Sequence, residues 1–183
     1  PVHVLAAIVV GASAWLAIVG VFMRVAPPPE SLVKGLEQLL TLGDPSLPLW
    51  VVLVAVAVTP AICEELFFRG VVLSGLRRLG MWPALVVSAL LFGFAHASIY
   101  RMLPTLALGL VLAWLAWRTR SIVPSMVVHA MNNGLIVWLA RHPSAGRLIG
   151  MDETSSLPSV GVTLGAAAVC AAGLWVAWRR GPA

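Results

Sequence analysis

Long apolar stretches limit this chain to very few architectures. About 20 apolar residues in a helix cross the hydrocarbon core of a bilayer. Six stretches come near that length, and they cover 4–23, 49–68, 82–97, 103–117, 123–139 and 160–178. Because 60% of the residues are hydrophobic and only 10% are charged, a soluble fold would leave much apolar surface in water. The sequence therefore predicts an all-α, polytopic transmembrane bundle of about six spans.

The polar segments between the spans predict how the bundle lies in its membrane. Leucines recur at helical spacing through residues 30–42, which predicts a short helix on the membrane surface. The side reached after the second, fourth and sixth spans carries seven Arg and no acid, whereas the other side carries five cations and five acids. The positive-inside bias therefore places both ends of the sequence in the cytoplasm. The cations are scattered, so they do not form the clustered stripe that nucleic acid binding needs.

The sequence gives three further expectations, on location, on the parent chain and on domain organisation. The short Arg-rich loops and the Ala, Val, Leu and Arg bias look bacterial, which predicts an inner, cytoplasmic membrane. The sequence begins at Pro1 and runs at once into an apolar stretch, so we expect it to be excised from a longer chain. We expect residues 1–183 to form a single membrane-embedded domain.

Two adjacent carboxylates, Glu64 and Glu65, lie inside the apolar run AVAVTPAICEELFF. An acid at that depth costs about 3 kcal/mol on insertion scales, so it normally has a partner or a role. Glu65 and Arg69 are four residues apart, and they would form an ion pair on one helix face. Glu64 points about 100° away from Glu65, which leaves its carboxylate available for another role.

Two histidines, His96 and His129, also lie within the apolar stretches. Glu64 and His96 are each 16 residues from Gly80, where the second and third spans would turn. An antiparallel hairpin would therefore bring the two side chains to the same level. His129 and Asn133 are four residues apart and would share one face of the fifth span. The sequence thus predicts a buried polar cluster drawn from three helices.

Such a cluster has the groups needed for attack by water on a carbonyl. Glu64 would take a proton from water as general base while His96 holds the same water. His129 and Asn133 would donate hydrogen bonds to the developing oxyanion, and no cofactor is needed. Zinc is the alternative, since Glu64, His96 and His129 would form a His2Glu site with a position open for water. Cys63 is a weaker rival as nucleophile, because it lies a further 100° or so round the helix from Glu64.

A non-catalytic function is the second class of interpretation. Polar side chains also hold membrane helices together through interhelical hydrogen bonds. An immunity protein or a transporter-associated module would keep such a cluster for structure or for proton relay. Four strongly polar groups exceed what packing needs, which favours the enzyme. A Glu64→Gln variant would lose peptidase activity but would keep a function that depends only on binding.

Three motifs resemble those of one family, the CAAX prenyl endopeptidase type II and bacteriocin-processing (CPBP, Abi-like) intramembrane proteases. They are EExxxR at residues 64–69, FxxxH at residues 92–96 and HxxxN at residues 129–133. All three lie in apolar helices, and together they define a motif-bearing core over residues 59–138.

The resemblance implies an all-helical membrane endopeptidase whose site opens to the cytoplasm. In this family the first glutamate and the FxxxH histidine are taken to activate water, and the histidine and asparagine of the third motif to form the oxyanion hole. The carried-over catalytic residues are Glu64, His96, His129 and Asn133, supported by Glu65 and Arg69. Family members were long described as metalloproteases.

The resemblance also bears on substrate and partners. Eukaryotic relatives cleave prenylated CAAX proteins, whereas bacterial relatives are linked to bacteriocin maturation or self-immunity. We therefore expect a membrane-associated peptide or protein as substrate, held at the lipid bilayer. A fused or associated transporter is a further expectation for the parent chain.

Overall fold

The structure, a computed structural model, describes residues 2–42, 44–151 and 157–180, and the regular elements in these ranges are all helices. In chain order they are α1 Val2–Val25, α2 Glu30–Thr41, α3 Leu49–Leu79, α4 Met81–Phe94, α5 Ile99–Thr119, α6 Val123–Arg141, α7 Pro143–Leu148 and α8 Val160–Arg180. Two acids of the charge count, Asp152 and Glu153, lie outside the described residues. The predicted all-α bundle is confirmed.

The six predicted spans correspond to five long helices and one short one. Helices α1, α3, α5, α6 and α8 are long and apolar enough to cross a membrane. Helix α4 has only 14 residues, and at 1.5 Å per residue it reaches about 21 Å, less than the roughly 30 Å of the hydrocarbon core. The chain turns after Phe94, where Ala97 has a positive φ of 49°. His96 therefore lies just beyond the end of α4 rather than within it.

Close contact between small residues holds the bundle together. Helix α1 packs against α6 and α8, and α4 packs against α5. A Cβ on Gly11 of α1 would be only 2.8 Å from the Cβ of Met131 on α6. Gly109 of α5 also lies close to α4, since its added Cβ would be 3.1 Å from the ring of Phe92. Such contacts allow membrane helices to approach closely, and here they bring α4, α5 and α6 around one site.

The predicted surface helix is formed as α2, which has two different faces. Glu30 and Lys34 form an exposed ion pair at 2.7 Å on one face. Leu36, Leu39 and Leu40 lie on the other face and line an internal cavity. The leucines therefore cover the interior of the bundle.

Helix α3 is not a regular α-helix along its whole length. Its α-helical segment Thr59–Glu65 is flanked by π-helical segments Leu53–Val58 and Leu66–Val72. Pro60 has no N–H, so it cannot donate to the carbonyl of Val56 as an α-helix would require. Such wide turns are frequent at functional sites, and here they lie on both sides of the segment that carries Glu64 and Glu65.

Candidate active site

Glu65 and Arg69 form a fully buried ion pair at the base of the site. Nη1 of Arg69 donates to Oε1 of Glu65 at 2.8 Å, and both side chains are 0% exposed. Nη2 of Arg69 donates to the carbonyl of Gly109 at 3.0 Å. The guanidinium carbon lies 4.5 Å from the centre of the Phe92 ring. The ion pair predicted from the spacing of four residues is confirmed.

His129 links this ion pair to Glu64. Nδ1 of His129 lies 3.0 Å from the same Oε1 of Glu65, and Nε2 lies 3.8 Å from Oε2 of Glu64. A carboxylate can only accept, so Nδ1 of His129 carries the proton in this contact. Arg69, Glu65, His129 and Glu64 thus form a continuous row. The sequence prediction paired Glu65 with Arg69 alone and missed its contact with His129.

Glu64 is the member of this row that reaches open space. Its side chain is 34% exposed, whereas that of His129 is 3% exposed. Oε2 of Glu64 is buried, and it accepts no hydrogen bond within the described part of the chain. Glu64 also lines the internal cavity together with His96 and His129. Glu64 therefore has one oxygen buried near His129, while the exposed part of its side chain borders a space that water can enter.

His96 is held in place by the helix end that precedes it. Nδ1 of His96 lies 2.9 Å from the carbonyl of Phe92. Because a carbonyl accepts, the Nδ1 proton is used in this bond and Nε2 remains available. The Phe92 ring contacts His96 edge to face at 5.0 Å between centroids, and His129 at 5.6 Å. One aromatic ring therefore braces both imidazoles.

Asn133 joins α6 to the irregular part of α3. Its Nδ2 donates to the carbonyl of Val56 at 3.4 Å, the carbonyl that Pro60 cannot satisfy. Asn132 donates in turn to Oδ1 of Asn133 at 3.5 Å. Asn132 is buried and lines the cavity, but it is missing from the sequence prediction because only Asn133 falls four residues after His129. The sequence does show the amide of Asn132 directly before Asn133, and this was the signal that could have identified it.

These residues surround one end of a cavity of about 410 Å³. The other walls are mostly apolar and come from α1, α2, the first half of α3 and the start of α5. The cavity therefore extends towards the end of the bundle where α2 lies. Cys63 is exposed and is not a wall residue, which agrees with its expected direction away from Glu64.

The side chains that would hold zinc are not gathered into a metal site in this structure. Among the described residues, no three His, Cys, Asp or Glu side chains lie close enough to hold a metal ion together. Nδ1 of His96 and Nδ1 of His129 are both engaged with oxygen acceptors, so Nε2 of each ring is the nitrogen that a metal would use. Only Glu64 and His129 approach one another directly, at 3.8 Å. The set Glu64, His96 and His129 would have to move to bind zinc.

A comparison with protein-family models found a match for part of the chain. A model of type II CAAX prenyl endopeptidases, described as Rce1-like, matches residues 45–135 of the chain. Residues 45–135 therefore form an Rce1-like domain. The matched range contains every predicted site residue. Searches of curated proteins and of solved structures found no match. A domain of this family implies an intramembrane protease that acts on a membrane-associated substrate.

Proposed function

We propose that the protein is a glutamate-type intramembrane endopeptidase. The observation that carries the proposal is the partly exposed carboxylate of Glu64, which lines the same cavity as His96 and His129. Glu64 takes a proton from water, with Nε2 of His96 holding the same water, while the water oxygen bonds to the peptide carbonyl carbon. The C–N bond then breaks, and the leaving nitrogen takes the proton from Glu64. No metal enters these steps.

His129 and Asn133 stabilise the negative oxygen of the tetrahedral intermediate. Because Nδ1 of His129 is bound to Glu65, its donor to the substrate is Nε2, which requires the protonated ring. Nε2 of His129 is the ring nitrogen that lies nearer to Glu64 and the cavity. Asn133 uses one amide hydrogen for Val56 and has a second one for the oxyanion. Glu65 and Arg69 act as positioning residues for His129.

The cavity walls support an apolar, membrane-associated peptide or protein as substrate. We propose a bacterial inner membrane as its location, residues 1–183 as one protease domain, and a transporter as a fused or associated partner. The positive-inside count puts both ends of the sequence in the cytoplasm, so the cavity would extend towards the opposite face. That conflicts with the cytoplasmic opening that the family resemblance implies. We retain the charge-based orientation as the proposal to be tested.

The deciding experiment uses protein purified in detergent and a fluorogenic peptide library. Glu64→Gln and His96→Ala should each reduce cleavage at least a hundredfold. The first removes the base that takes a proton from water, and the second removes the imidazole that holds the water in place. Glu30→Gln is the matched control, since Glu30 is an exposed acid on α2. Metal content is measured on the same samples, before and after treatment with a chelator.

The outcomes separate the three interpretations. Cleavage by the wild type without stoichiometric zinc, and unaffected by a chelator, supports the glutamate mechanism. Stoichiometric zinc that both variants lose would identify a metalloprotease instead. A Glu64→Gln protein that keeps full biological activity in cells would favour a non-catalytic immunity or transporter-associated module.

A further inference from the structure

A cation, Arg101, shares the cavity with the proposed catalytic groups. It is the third residue of α5, and it lines the same cavity as Glu64, His96 and His129. Its charge is close enough to interact with those of Glu64 and His96. Neither the three motifs nor the steps of water activation use this residue. Arg101 nevertheless borders the space in which a substrate would lie.

The side chain of Arg101 differs from other arginines at the same end of the bundle. Arg24 donates to the carbonyl of Pro158, and Arg141 donates to the carbonyl of Leu47. Both therefore attach connecting segments to helices. Within residues 2–42, 44–151 and 157–180, the guanidinium of Arg101 makes no such hydrogen bond and no ion pair. Its donors are available to a ligand.

A cation in this position is costly unless it has a partner. Arg101 lies in the first turn of α5, where the positive end of the helix dipole disfavours positive charge. It is partly buried beside the apolar wall residues Pro104 and Leu108. Partly buried charges in proteins are normally paired. Glu64 is near enough to interact with this charge but does not bond to the guanidinium, so an anionic group on a bound molecule would supply the direct partner.

We propose that Arg101 binds a carboxylate of the substrate and so helps to select which peptide bond is cleaved. This inference rests on the proposed function, because it concerns the same cavity. A guanidinium offers two parallel N–H groups that match the two oxygens of a carboxylate. Without Arg101, Glu64 would repel a substrate carboxylate across an apolar cavity. The carboxylate comes from the C-terminus of the peptide or from an Asp or Glu side chain, which share this chemistry.

The test measures binding, so it does not depend on turnover. Three short, fluorescent, N-acylated apolar peptides are used: one ends in a carboxylate, one in a carboxamide, and one in a carboxamide with Glu as its last residue. Fluorescence anisotropy gives their affinities for the detergent-purified chain and for Arg101→Gln, Arg101→Lys and Arg147→Gln. Arg147 is an exposed arginine of α7. Its substitution removes the same charge from the same end of the bundle, outside the cavity.

We expect the wild type to bind the carboxylate peptide, the Glu peptide or both about tenfold more tightly than the plain carboxamide, as a charge-assisted hydrogen bond permits. Either preference supports the proposal and identifies the source of the carboxylate. The ratio of affinities between the preferred carboxylate-bearing peptide and the plain carboxamide should fall to about one in Arg101→Gln. It should be reduced but above one in Arg101→Lys, and unchanged in Arg147→Gln.

Two results would overturn the proposal. One is equal affinity of the wild type for all three peptides, including no binding of any. The other is a carboxylate preference that persists in Arg101→Gln. Failure of the proposed peptidase function would appear separately, as selective binding without cleavage.

Discussion

Replacing Arg69 alone should weaken the fold more than replacing Arg69 and Glu65 together. Both side chains are fully buried, and their charged atoms are 2.8 Å apart. Removing only the cation leaves Glu65 as a buried carboxylate with His129 as its remaining partner. Breaking a buried pair from one side typically costs 3–5 kcal/mol, so Arg69→Met should lower the free energy of unfolding by about 4 kcal/mol.

The double variant, Glu65→Leu with Arg69→Met, removes the need to bury either charge. Exchanging a buried ion pair for apolar groups of similar size is often close to neutral. The remaining losses are the hydrogen bond from Arg69 to Gly109, the contact of its guanidinium with Phe92 and the acceptor of Nδ1 of His129, about 1 kcal/mol each. The double variant should therefore be about 3 kcal/mol less stable than the wild type and about 1 kcal/mol more stable than Arg69→Met.

Unfolding by SDS in mixed micelles, followed by circular dichroism, gives these free energies, with Arg147→Gln as an exposed arginine control. Cleavage is the second measurement. The double variant should remain inactive despite its recovered stability, because Nδ1 of His129 has lost its carboxylate. A double variant whose loss of stability equals the sum of the losses in Glu65→Leu and Arg69→Met would refute the reasoning. So would a double variant that regains activity.

Three further results are expected. Gly11→Ala should lower the free energy of unfolding by about 1–3 kcal/mol, because the added Cβ meets Met131. Gly165 faces open space, so Gly165→Ala should leave that free energy unchanged or raise it by up to about 1 kcal/mol. Thermal unfolding in detergent compares the two variants. Asn133→Ala should lower kcat by about 10²–10³ with KM almost unchanged, through loss of an oxyanion donor, and a change confined to KM would contradict that role. A single cysteine at Ser31 of α2, in a chain without its native cysteines, should react with an impermeant maleimide on intact cells; labelling only after lysis would reverse the proposed orientation.

The contacts that the sequence could predict are those within one helix. Glu65 and Arg69 meet because they are four residues apart in one helix, a spacing that keeps them on one side even though Leu66–Val72 is π-helical. The presence of Glu64, His96 and His129 around one cavity was also foreseeable. Charged and strongly polar side chains in apolar helices avoid lipid by facing one another.

Contacts between helices could not be predicted in the same way. The Oε1 atom of Glu65 accepts from both Arg69 and His129, and the second bond depends on the rotation of α6 about its axis. The sequence does not predict that Arg101 lines the cavity, because it lies near the end of an apolar stretch, where arginines commonly anchor a helix at the membrane surface. Its position in the cavity follows from the early end of α4 and the turn at Ala97.

The irregular hydrogen bonding of α3 limits the part of the helix to which a regular α-helical period applies. Residues 59–65 are α-helical, so the expected angle of about 100° between Glu64 and Glu65 applies there. The π-helical turns on either side change the rotation of residues 53–58 and 66–72, and a period of 3.6 no longer predicts which face meets α6. At Val56, where Pro60 supplies no donor, Asn133 of α6 donates instead. That contact ties the position of Glu64 to that of His129, so the irregularity of α3 helps to align the site.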